Sequence, residues 1–116
     1  MPIALDPEML ALAYDYLCSQ APFNKWNLPP SDEVKFLVIR KRDRYAHFQI
    51  KDGIPHIAVS SRMVGRHETL ISTMAHEILH FHMHLAGFKE AGDHGAAFQK
   101  LANRVCKIHE FDRLTF

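Results

Sequence analysis

Leu70–Ile71–Ser72–Thr73–Met74–Ala75–His76–Glu77–Ile78–Leu79–His80–Phe81–His82–Met83 is the run on which the fold turns. Leu70, Ile71, Met74, Ala75, Ile78, Leu79 and Met83 recur at intervals of three and four, the period of a helix with a broad apolar face. A central, mostly buried helix is therefore predicted from about residue 65 to residue 85. Inside it stands His76–Glu77–Ile78–Leu79–His80, an H-E-x-x-H motif. Residues four apart on an α-helix differ by only about 40° in direction, so both imidazoles leave one face, one turn apart, at the spacing of two ligands to a single Zn²⁺. Glu77 points roughly 100° around from His76, beside such a metal but not on it, where a carboxylate can take a proton from a metal-activated water.

The nine histidines of the chain make a chance match worth weighing. Shuffling this composition would produce H-E-x-x-H about 3% of the time, by simple composition arithmetic. The apolar setting argues further against chance, because two imidazoles and a carboxylate buried without a partner are costly to desolvate. A catalytic zinc takes three protein ligands and leaves one position open. The candidates for the third are His94, His84, Glu90, His109 and Glu110. His94 is preferred: the loop after His80 contains Gly87 and Gly92, which let the chain reverse, and Gly95 permits a close approach. His84 lies one turn beyond His80 and could orient substrate, whereas His82 points away. A chelate of His80 with His84 would have Phe81 in the place of the base.

Working outward, Val34–Ile39, Tyr45–Ile50 and Ile54–Val59 read as strands. Asp52–Gly53 is a preferred hairpin pair, and Arg40–Lys41–Arg42–Asp43–Arg44 separates the first two runs, so a three-stranded antiparallel meander is expected. Pro55 cannot donate to a ladder, which suggests an edge there and a place near Ile57–Ser60 for an extended peptide to add as a strand. Upstream, Asp6–Pro7–Glu8 opens an N-terminal helix with Leu10, Ala13, Tyr14 and Leu17 on one face. The Pro-rich stretch 21–31 is a loop in which Phe23, Trp26 and Leu28 pin against the core. Downstream, Asp93 could cap a last helix carrying Ala97, Phe98, Leu101, Ala102, Val105 and Ile108. The fold class is thus α+β.

The chain has 116 residues, 47% of them hydrophobic, which is one domain's worth spanning 1–116. Fourteen basic residues against thirteen acidic ones give no global charge to draw it to nucleic acid, leaving the Arg40–Arg44 turn as the one local candidate for phosphate contact. No apolar run approaches the ~20 residues that span a bilayer, and the N-terminus lacks the order of a secretion signal, so a soluble, cytoplasmic protein with no membrane partner is expected. Cys18 and Cys106, without a C-x-x-C pair, are expected to pack as small apolar residues.

His76–Glu77–x–x–His80 followed by His94–Gly95–x–x–Phe98 resembles the SprT-like zinc metalloproteases. The similarity continues upstream through Ile57–Ala58–Val59–Ser60, Arg62–Met63–Val64 and Glu68–Thr69–Leu70, covering about residues 34–110. The resemblance implies a small zincin-like domain in which His76, His80 and His94 hold one Zn²⁺ per chain and Glu77 is the general base. It implies a metalloendopeptidase acting on protein or peptide substrates. Many members add a cysteine zinc ribbon or a basic DNA-binding extension, so the likeness here is to the protease core alone. Two other readings stand beside it: a gluzincin-like peptidase with Glu110 or Glu90 as third ligand, and a zinc-stabilised binding module without catalysis.

Overall fold

The computed structural model describes residues 4–88 and 94–116. Helix α1 (Pro7–Cys18) starts as the sequence implies: Asp6 Oδ1 accepts from the Met9 amide at 2.8 Å, Pro7 occupies the first turn, and Leu10, Ala13, Tyr14 and Leu17 are buried. It ends at Ser19, three residues before Pro22. In the loop beyond, Phe23 is buried, Trp26 stacks on His82 with ring centroids 4.0 Å apart, and the Tyr14 hydroxyl donates to the Pro29 carbonyl at 2.6 Å. His82 therefore faces away from the other α2 histidines. Cys18 and Cys106 are free thiols, and burial pushes both upward in pKa, Cys18 to about 11, so neither forms a thiolate near neutral pH.

Strands β1 (Lys35–Ile39), β2 (Ala46–Lys51) and β3 (Ile54–Ser60) are all present, but their arrangement corrects the expected antiparallel meander. The order is β1-β3-β2: β2 and β3 form the antiparallel hairpin around Asp52 and Gly53, both with positive φ (54° and 76°), while β1 pairs with β3 in parallel. Burial decides the order, because residues 57–60 are all buried and only a central strand can hide them. Parallel pairing sets Phe36 and Val38 beside Ile57 and Val59, and Ala46 and Phe48 flank the same two residues from the other side, giving one apolar face.

The 40–45 segment is thus no hairpin but a bridge across the end of β3. Tyr45 O accepts from Ser60 N at 2.8 Å, Ile39 O accepts from Ser61 N at 2.9 Å, and the Ser60 hydroxyl donates to the Lys41 carbonyl. Pro55 sits in the central strand, one residue before β1 pairing begins at His56, so β1 demands no donor from it. The expected edge near Ile57–Ser60 does not exist; the outer strands are β1 and β2.

Helix α2 (His67–Leu85) packs against β2, β3, α1 and α3 (Ala96–His109). Its buried residues include Leu70, Met74, Ala75, Ile78, Leu79 and Met83, which makes it the central element of the core. No helix among the described residues is long and apolar enough to cross a membrane.

Candidate metal centre

Two of the least exposed polar side chains in the molecule lie on α2: Glu77 is 6% and His80 8% accessible. Burial at that level needs compensation. The α2 backbone sets His76 and His80 one turn apart, and the start of α3 returns His94 to them. The three Nε2 atoms form a nearly equilateral triangle, with sides of 3.3 Å (His76 to His80), 3.2 Å (His76 to His94) and 3.1 Å (His80 to His94).

That triangle cannot be satisfied by hydrogen bonds. A neutral imidazole Nε2 is either a donor or an acceptor, so among three mutually touching nitrogens at least one pair must be donor against donor or lone pair against lone pair. A cation that receives all three lone pairs removes the conflict. Tetrahedral zinc with Zn–N bonds of about 2.0–2.1 Å spaces its nitrogen ligands by about 3.3–3.4 Å, close to the separations found. Among the described residues these three histidines could hold a metal ion, and imidazole nitrogens suit zinc, copper, iron and nickel alike.

The rings are held from behind. Phe98, 2% exposed, packs against all three imidazoles at centroid distances of 5.0, 4.9 and 4.4 Å to His76, His80 and His94. That accounts for an aromatic residue four positions after His94. His76 Nδ1 lies 2.9 Å from the Phe116 main-chain oxygen, and a carbonyl can only accept, so Nδ1 carries the proton and Nε2 keeps its lone pair for a metal. Gln99 Nε2 donates to the His94 carbonyl at 3.0 Å and the Gln99 amide to the Gly95 carbonyl at 2.9 Å, which locks the first turn of α3 to the ligand. Sequence reasoning missed Gln99 and Phe116. The Phe98 ring was visible in the motif, but a main-chain oxygen leaves no signature in a sequence.

The other candidates stand apart. His84 is exposed on the same face, near Phe48 at the groove wall. His109 Nε2 lies 2.6 Å from the Ala21 carbonyl, with its ring against Phe23 and Phe111. Glu110 is exposed at the C-cap of α3 in a left-handed conformation. Among the described residues the cluster contains three histidines and no carboxylate. Glu90, Gly92 and Asp93 lie outside the described residues; α3 itself begins at Ala96 with Gly95 at its N-cap and no side-chain cap.

Two clefts meet at the centre. One is lined by Tyr45, Thr69, Thr73 and Phe116, the other by Phe48, His80, His84 and His94, and both include Ala46, His76 and Glu77. Together they form a groove along β2 with Glu77 at its middle.

Burial raises the Glu77 carboxyl to about 8, placing it near neutrality, where a group best gains and loses a proton. His76 moves the other way, down to about 4, through burial first and then through His80 and His94, against the Phe116 carbonyl, which favours its charged form. A neutral His76 is the ligating form. The sign of the stability effect follows for metal-free protein. The unfolded chain takes up this proton near ~6.5 and the folded chain only near 4, so acidification through that window should remove up to about 3 kcal/mol, complete below pH 4. Urea unfolding of chelator-treated wild type and His76→Gln at pH 7.5, 5.5 and 4 measures it: the stability of wild type relative to the variant should fall as the pH falls.

Comparison with known proteins gives one match. A sequence model of the SprT-like family matches residues 19–114, from the end of α1 to the segment that follows α3. No curated protein and no solved structure matches.

Proposed function

This chain belongs to the SprT-like family, and from the convergence of its three imidazoles we propose that it is a zinc-dependent metalloendopeptidase that hydrolyses amide bonds in proteins or peptides. The observation that carries the reading is the triangle of Nε2 atoms at 3.1–3.3 Å with a buried carboxylate one residue from the first of them. His76, His80 and His94 would hold one Zn²⁺, the three-ligand set that leaves a position for water. When bound, zinc supplies Lewis acidity to the scissile carbonyl and to that water.

Glu77 does the proton work. Its carboxylate accepts the proton of the attacking water and delivers it to the leaving amine, which needs one group able to act in both directions. Burial strengthens its hold on the proton it accepts, and a cation held by the three imidazoles would favour the charged form that accepts it. A peptide is positioned by β2. That strand is an outer one, paired with β3 on one side only, and it lines the cleft that holds His76, Glu77 and His80, so an extended substrate can add to its free edge through main-chain hydrogen bonds with little demand on side-chain sequence. Strand addition thus moves from the Ile57–Ser60 position expected from sequence to β2.

The test is cleavage of an unfolded protein such as casein by the zinc-loaded chain. Activity should vanish with a chelator and return with stoichiometric zinc. No cleavage by fully loaded protein, on casein or a peptide library, would overturn the enzymatic reading.

A further inference from the structure

Residues 111–116 follow α3 and cross to the metal centre, where they reach two of the three ligands by independent routes. Phe116 places its main-chain oxygen 2.9 Å from His76 Nδ1 and its ring 5.2 Å from the His76 ring, and that ring also lies against Phe98 at 6.3 Å and Phe111 at 6.0 Å. Arg113 donates through Nε to Asn103 Oδ1 at 2.6 Å and through its second nitrogen to Gln99 Oε1. The same Gln99 side chain donates from its other end to the His94 carbonyl. A chain of contacts therefore runs from Arg113 through Gln99 to His94, while Phe116 holds His76.

We propose that the 111–116 segment is a clamp that positions the metal ligands, with Phe116 orienting His76 and Arg113 orienting His94 through Gln99. Neither residue would touch the metal. They act on the angle and tautomer of imidazoles that do, and outer partners of this kind typically contribute 10–100-fold to metal affinity. The design has a physical reason. His94 is exposed, so without a tether its imidazole would have to be ordered anew each time a metal binds, at a cost in conformational entropy. Phe98 supplies a floor for the rings but no hydrogen bond, and the clamp supplies the direction.

This inference rests on the zinc reading of the site, and the experiment separates the two. Zinc affinity is measured by competition with a chromophoric chelator on full-length wild type, Phe116→Ala, Phe116→Tyr, Arg113→Met and the Phe116→Ala/Arg113→Met double variant. Cobalt(II) absorption spectra are recorded on the same proteins. All measurements are made at a temperature where circular dichroism shows each metal-free protein folded. Phe116→Ala, which keeps the main-chain oxygen but removes the ring that seats it, and Arg113→Met should each weaken zinc binding about 10-fold, and the double variant by up to about 100-fold. Their cobalt bands should shift, and Phe116→Tyr, which keeps the ring, should retain wild-type affinity and spectrum. Unchanged affinity and cobalt spectra in the folded double variant would overturn the clamp while leaving the zinc site intact. Failure of wild type itself to bind zinc would overturn the site, and the clamp with it. Arg113 and Phe116 are only partly buried, so the single variants decide the matter if the double variant does not fold.

Discussion

Glu77→Gln is expected to keep one zinc per chain and to lose about 10²–10⁴-fold in kcat. The amide is nearly isosteric with the carboxyl, and Glu77 is 6% exposed and outside the imidazole triangle, so the substitution leaves the shape of the centre alone. What it removes is the ability to accept a proton. It also removes a buried ionisable group whose charged form burial disfavours, so the variant should be no less stable than wild type. Metal analysis and casein turnover on the same preparation check both halves. Loss of turnover with zinc retained fits a general base; loss of zinc would mean that Glu77 serves the centre as structure. A binding module would keep its biological activity in this variant, which separates that reading from catalysis.

His94→Ala should have the opposite profile, with the fold retained and the metal lost. His94 is exposed and lies outside the apolar core, so its removal costs little packing. The metal loses one of three ligands. If three imidazoles share roughly 10–16 kcal/mol of binding, each accounts for about 3–5 kcal/mol, on the order of 10³-fold in affinity. Turnover falls with it, because a two-histidine chelate neither holds zinc at working concentrations nor keeps it facing Glu77. Glu110→Ala is the matched control: Glu110 is exposed at the end of α3 and outside the histidine cluster, and its loss should leave affinity unchanged. Isothermal titration of the two variants with zinc compares them directly. Equal, tight binding by His94→Ala would restore a carboxylate third ligand.

What the sequence revealed of this molecule and what it hid divide along a physical line. Local signals were reliable. The Asp6 cap, the Asp52–Gly53 turn and the 3.6-residue periods of α2 and α3 each depend on neighbours in the chain, and each appears where expected. The first two histidines of the cluster were legible for the same reason, since one helical turn sets their spacing. His94 was legible because the glycines after His80 let the chain reverse and because His94–Gly95–x–x–Phe98 resembles a segment of the SprT-like family.

Strand order was not legible. Pairing is a non-local choice, and the 40–45 segment looks the same in sequence whether it turns back on β1 or bridges the end of β3. What decides is that residues 57–60 are all buried and that Ser60 ties the bridge down through the Lys41 and Tyr45 carbonyls. The same error misplaced the free edge, and with it the strand on which a substrate would lie. Phe116 was hidden for a different reason, because its hydrogen bond to His76 comes from a main-chain oxygen that any residue possesses, and only the fold shows its ring seated on His76, Phe98 and Phe111 to hold that oxygen in place.

The most direct test of the central claim is zinc K-edge X-ray absorption on the stoichiometrically loaded protein in solution. The account expects three imidazole nitrogens and one non-protein oxygen at about 2.0–2.1 Å, with the imidazole contribution reduced by one in His94→Ala. Four protein ligands around the zinc, or a wild-type imidazole count that survives the loss of His94, would contradict it.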